Sequence, residues 1–166
     1  EYDQLNRIKL KKSSGATLAS YAYDDPAKEF CIGRLSKISY PAGSEEYFYD
    51  KLGRQTKLVE TIAGESFTIE RTYDALGRTE TLKYPDATLL QYTYSPQGVD
   101  KITDITDPKK PKAFIADLSY SAASQVTKET FGNGVVTNYD YYPQTLRLKQ
   151  ILTYLAAKKI QDLNYF

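Results

Sequence analysis

A tyrosine returns every 21 to 26 residues along nearly the whole of this chain, at Tyr2, Tyr23, Tyr49, Tyr73, Tyr94, Tyr120 and Tyr141. A period of this length means that one supersecondary unit is written repeatedly, and that each unit covers its apolar face with its neighbours. The repeat therefore constrains the fold before any other feature is considered.

The residues after each tyrosine identify the unit. Asp comes next at Asp3, Asp24, Asp50 and Asp74, and the turn closes on Gly33-Arg34, Gly53-Arg54 or Gly77-Arg78. The clearest copies are YDKLGR (Tyr49, Asp50, Gly53, Arg54) and YDALGR (Tyr73, Asp74, Gly77, Arg78). In YDQLNR (Tyr2, Asp3, Asn6, Arg7) Asn replaces Gly, and Asn is the side chain most tolerant of a left-handed backbone. The phrase reads as a type I turn whose last residue takes positive φ, the common bulged hairpin connection, with Asp accepting the amides beyond it. Later copies decay to YSPQGV at Tyr94 and YSAASQV at Tyr120.

The flanks alternate with period two. Tyr47 and Tyr49 share a face, as do Phe67, Ile69, Arg71 and Tyr73, then Leu90, Tyr92 and Tyr94, and then Val135, Thr137, Tyr139 and Tyr141. A second turn, marked by Gly or Pro, joins the two strands of each unit: SSGA at Ser13, PAGS at Pro41, IAGE at Ile62, PDAT at Pro85 and FGNG at Phe131. Sixteen tyrosines and no Trp, Met or His fit a half-buried pleated surface. The segment from Thr153 fits a helix or a strand, and its place in the repeat predicts strand. The expected fold is all-β: tandem hairpins in a curved ribbon, one segment over residues 1–166 with six to seven units.

Composition removes several function classes. Twenty-two Lys and Arg face 21 Asp and Glu with no long run of one sign, so no nucleic-acid footprint is present. Lys109, Lys110 and Lys112, set among prolines, read as a solvated loop. With no histidine and Cys31 as the single cysteine, neither a disulfide within the chain nor the usual metal constellations can form, and no serine has an activating base. No apolar stretch is long enough to span a membrane as a helix. The expectation is a chain with no catalytic residues, cofactor or metal.

The phrases YDQLNR, YDKLGR and YDALGR, with Tyr-x-Tyr before the turn in YAYD, YFYD and YTYS, resemble the YD repeats of the Rhs family. These also occur in the B and C components of insecticidal toxin complexes and in teneurins. The ending YYPQTLRLKQI followed by IQDLNY is similar to a stretch of bacterial toxin-type members, with Tyr142 in place of Asp and Leu146 in place of Gly. The resemblance implies a spiral shell of hairpins, secreted by or displayed on a bacterium, that encloses and helps deliver a C-terminal toxin. The family's acidic self-cleavage segment is not among these residues, so the stretch is expected to be an excerpt of a larger chain.

Two functional readings are compatible with these features. In the first the repeat is a non-catalytic scaffold whose partners are neighbouring repeats and an enclosed toxin polypeptide, and isolated copies self-associate through exposed strand edges. In the second it is an extracellular carbohydrate- or receptor-binding module, with Tyr47, Tyr49, Tyr92 and Tyr94 stacking on sugars. Burial of those tyrosines separates the two.

Overall fold

The computed structural model describes residues 1–166, all in strands, turns and connecting segments with no helix. Fourteen strands lie in one sheet whose order repeats the order of the chain, as expected for hairpins that each pair with the next. The residues form two compact units.

The first unit comprises Glu1–Gly77 with Leu82–Ala87. It holds β1 (Leu10–Ser13), β2 (Ala16–Tyr23), β3 (Leu35–Tyr40), β4 (Gly43–Tyr49), β5 (Gln55–Ile62) and β6 (Glu65–Tyr73). Its hairpins are antiparallel, with Tyr47 opposite Leu58 and Leu58 opposite Ile69. The second unit comprises Arg78–Thr81 with Thr88–Phe166, and β7 (Thr79–Lys83) is shared between the two. It carries β8 (Leu89–Tyr94), β9 (Val99–Asp104), β10 (Lys112–Tyr120), β11 (Val126–Phe131), β12 (Val135–Tyr141), β13 (Leu148–Leu155) and β14 (Lys158–Asn164). The ambiguous C-terminal segment is thus the strand its position predicts, paired antiparallel to β13.

Five anchor tyrosines sit at a register slip. Phe48 faces Lys57 while Tyr49 faces Gln55, so Thr56 is the extra residue of a bulge, and the same slip occurs at Tyr23, Tyr94, Tyr120 and Tyr141. A bulge adds local twist, so the repeat itself places a twisting device at these turns.

A single layer has no interior, and the chain has almost none. Cys31 is the one fully buried hydrophobic residue, and the other buried residues, Ser36, Thr137 and Thr153, are polar. Thr137 and Thr153 face each other across β12 and β13 with their hydroxyls 3.1 Å apart. The strands that alternate in sequence are half-buried on both faces, because each side chain is covered by its neighbours along and across the sheet and by no second layer.

The period varies through insertions at opposite ends of the hairpins. The turn from Asp24 to Arg34 is longer than its counterparts and folds back so that Cys31 is covered, while Ile105–Pro111 lengthens the opposite end between β9 and β10.

Candidate functional site

The sequence motif builds one structure, repeated turn by turn. In YDKLGR, Oδ1 of Asp50 accepts the amides of Leu52 at 2.9 Å and Arg54 at 3.0 Å, and Gly53 donates its amide to the Asp50 carbonyl at 2.9 Å. Gly53 has φ 79° and Gly77 φ 80°, and Asn6 stands at φ 59° in the same place. Asp3 repeats the capping bonds to Leu5 and Arg7 at 2.9 and 2.8 Å.

Each turn is then tied to the one before it. The hydroxyl of Tyr23 donates to the Ile8 carbonyl, Tyr49 to Leu35, Tyr73 to Gln55, Tyr94 to Thr79, Tyr120 to Val99 and Tyr141 to Val126, at 2.6 to 2.9 Å. In five of the six the acceptor opens the return strand of the preceding turn, and Ile8 lies two residues before β1. Arginine adds a second link by lying over the next tyrosine ring: Arg7 over Tyr23 at 4.3 Å, Arg34 over Tyr49 at 5.7 Å, Arg54 over Tyr73 at 4.5 Å and Arg78 over Tyr94 at 4.2 Å. Arg7 also bridges its own Asp3 at 2.7 Å and the next turn's Asp24 at 2.6 Å. Guanidinium suits this place because its plane stacks on a ring while its edge keeps donors for carboxylates.

The glycine corner also lies beside the preceding turn's flexible arginine. A Cβ on Gly53 would sit 2.3 Å from the Arg34 guanidinium, which reaches across from the preceding turn.

No family model matches the chain. Among curated proteins it is 34% identical over 116 residues to toxin subunit YenC1 of Yersinia entomophaga, covering 64% of this chain, and 45% identical over 60 residues to YenC2 of the same organism, covering 32%. Among solved structures it superposes on the TcdB2-TccC3 crystal structure with a TM-score of 0.81 at 22% identity, covering 90% of the chain. On the Tc holotoxin pore of Photorhabdus luminescens the score is 0.82 at 20% identity over 96%. The chain is thus similar in sequence to these toxin subunits and shares its fold with these solved structures. It spans 12% of YenC1, 6% of YenC2 and 9% of each of these two structures' chains.

The decayed YD turn at Tyr120 keeps the geometry with other residues, while the turn at Tyr94 is one residue shorter and that at Tyr141 one longer. Ser121 Oγ replaces the Asp cap, accepting the amides of Ala123 and Gln125 at 3.2 and 3.3 Å, and Ser124 takes the left-handed position at φ 58°. Gln125, standing where Arg would, donates across to the Leu146 carbonyl of the following turn at 2.7 Å. Leu146, in the glycine position of the last YD turn, still adopts φ 56°, so that corner is kept at the expense of backbone strain. Gly98 serves differently again: a Cβ there would lie 2.9 Å from the Tyr120 hydroxyl, so its small size admits the tyrosine.

The inserted YD turn is the most elaborated. Asp24 Oδ1 accepts the Gly33 amide, and Lys28 Nζ reaches the Ser36 carbonyl and Glu46, each at 3.0 Å, while lying 4.5 Å from the Phe48 ring centre. Lys57 approaches the same ring at 5.1 Å.

The electrostatics reflect these links. Asp3 is held below the usual carboxylate range by the Arg7 amide and then by its side chain, and Asp24 chiefly by the Arg7 guanidinium. Desolvation pushes Asp50 upward, but the hydrogen bonds from Arg54 and Leu52 outweigh it and the net shift is downward. Burial raises Tyr49, and burial and then the Glu45 carboxylate raise Tyr47.

The tyrosines considered for sugar stacking, Tyr47, Tyr49, Tyr92 and Tyr94, are all half-buried. Tyr49 and Tyr94 have hydroxyls bonded to backbone and a guanidinium over the ring, and the Tyr47 hydroxyl donates to Glu45. No group of three or more His, Cys, Asp or Glu is placed to hold a metal. Sequence reasoning assigned Arg only to opening the return strand and did not anticipate the tyrosine-to-carbonyl links. The available signal was that Arg7, Arg34, Arg54 and Arg78 each precede a periodic tyrosine.

Proposed function

We propose that this chain is a non-catalytic structural segment of a secreted bacterial YD-repeat shell, which encloses a toxic polypeptide and helps deliver it as part of a toxin complex. The observation that carries the reading is the ladder of turns: the residues that define the repeat are engaged in capping a turn or tying it to its neighbour. Such a motif invests its chemistry in a continuous wall. The similarity to toxin subunits and to the TcdB2-TccC3 fold supports the same role. Glycan recognition is less well supported, since hydroxyls that sugars would need are bonded within the sheet.

Limited proteolysis of the full-length polypeptide carrying this segment tests enclosure. A shell protects the polypeptide C-terminal to the repeats, and combined Tyr73→Ala and Tyr120→Ala substitutions expose it to cleavage. Equally rapid cleavage of that polypeptide in the unsubstituted protein would contradict the proposal.

A further inference from the structure

Lys109, Lys110 and Lys112 stand among prolines at a place where the repeat needs no long loop. Ala63 and Gly64 suffice to join β5 to β6, whereas Ile105–Pro111 joins β9 to β10. Residues 106–114 are all exposed, and Asp107 alone holds the tip: its Oδ1 accepts the Lys109 amide and its carbonyl the Lys110 amide, each at 2.9 Å. Lysines in the other turns are tied more firmly. Lys28, in the longer insertion, donates its ammonium to the Ser36 carbonyl and to Glu46, and Lys51 stands in a corner closed from both sides by the bonds between Asp50 and Arg54.

We propose that the Lys109–Lys110 peptide bond is a processing site for a trypsin-class serine endoprotease, and that the nicked chain stays assembled. Such an enzyme takes a lysine side chain into a pocket with a carboxylate at its base, and it needs the flanking backbone extended. Here only the Asp107 bonds have to open, whereas a strand would first have to leave its neighbours. Exposed loop tips are where nicking concentrates for this reason. The residues around the loop select the bond. Pro111 follows Lys110 with a tertiary amide and no N–H, which disfavours cleavage after Lys110, and Lys112 is already paired with Asp104 in β10. Hydrolysis adds a water molecule across the Lys109–Lys110 amide, leaving a carboxylate on Lys109 and an ammonium on Lys110, and the protease is regenerated. Afterwards β9 still pairs with β8, β10 with β11, and the two with each other at Ala113 opposite Thr103 and Ile115 opposite Ile102. The site requires no enclosed polypeptide, so it stands apart from the shell reading.

Limited digestion of the full-length polypeptide carrying this segment with trypsin, the new amino termini being read by mass spectrometry, tests it. Within residues 1–166 the first new terminus is expected at Lys110, and the fragments are expected to co-elute under native conditions. Lys109→Gln should delay the first cut in the segment about tenfold or more, since cleavage elsewhere waits on the opening of paired backbone. Lys109→Gln combined with Pro111→Ala should restore rapid cleavage, now after Lys110, because the loop remains accessible and the proline no longer protects that bond. A first cut at another basic residue of the segment, an intact loop, an undelayed first cut in Lys109→Gln, no cut after Lys110 in the double variant, or fragments that separate under native conditions each overturns the proposal.

Discussion

The well-kept turns at Tyr49 and Tyr73 and the decayed turn at Tyr120 have the same shape from different residues, while the turn at Tyr141 is one residue longer. At Tyr49 the cap is Asp50, the left-handed residue Gly53 and the lateral group Arg54; at Tyr120 they are Ser121, Ser124 and Gln125. Only the tyrosine and its bond to the preceding carbonyl persist throughout. The difference ranks the motif: tyrosine carries the link between turns, and Asp, Gly and Arg are one favourable solution to turn geometry among several.

The strongest challenge to this ranking is removal of the tyrosine on both sides of the comparison. Tyr73→Ala and Tyr120→Ala each lose a half-buried ring and a bond to backbone, and each is expected to lower stability in urea unfolding by about 2–3 kcal/mol. A much smaller loss at Tyr120 would mean that the decayed turns are held by other contacts.

Exchanges at the left-handed position should have opposite signs. Gly53→Leu imposes a left-handed side chain, at about 1–2 kcal/mol, and also meets the Arg34 guanidinium, whereas Leu146→Gly relieves strain and is expected to stabilise by about 1 kcal/mol. Thermal unfolding of both variants measures the pair.

The contribution of arginine is smaller and is separated by double-mutant cycles. Arg54→Ala with Tyr73→Phe should show a coupling of about 0.5–1 kcal/mol, while Gln125→Ala with Tyr141→Phe should show none, since no guanidinium reaches that ring.

Acid gives the smallest and most local contrast. Asp3 and Asp24 are held below the ordinary carboxylate pKa by Arg7, so their contribution is complete above about pH 4, the unfolded value, and fades as pH falls through the lower folded values. Hydrogen exchange at the Leu5 and Arg7 amides, corrected for the intrinsic rate, should accelerate in that range. The Ala123 and Gln125 amides, capped by serine, should not.

Much of the fold was legible because the turn is local. Asp50, Gly53 and Arg54 interact across at most four residues, so spacing alone reveals the corner. The turn at PAGS was legible as well, but not the close approach of two backbones at its glycine: a Cβ on Gly43 would lie 1.8 Å from the Thr61 carbonyl of the adjacent strand. Nor did alternation along the strands show that both faces would be half-covered, because a period of two records which side a residue takes and not whether a second layer lies there.

By itself the sequence determined the repeating hairpin, its bulged corners and its all-β character, since each depends on residues only a few positions apart. Tertiary structure alone decided what ties the corners together. The tyrosine hydroxyls find their acceptors 14 to 21 residues away, and those atoms become neighbours only after the strands have paired in register.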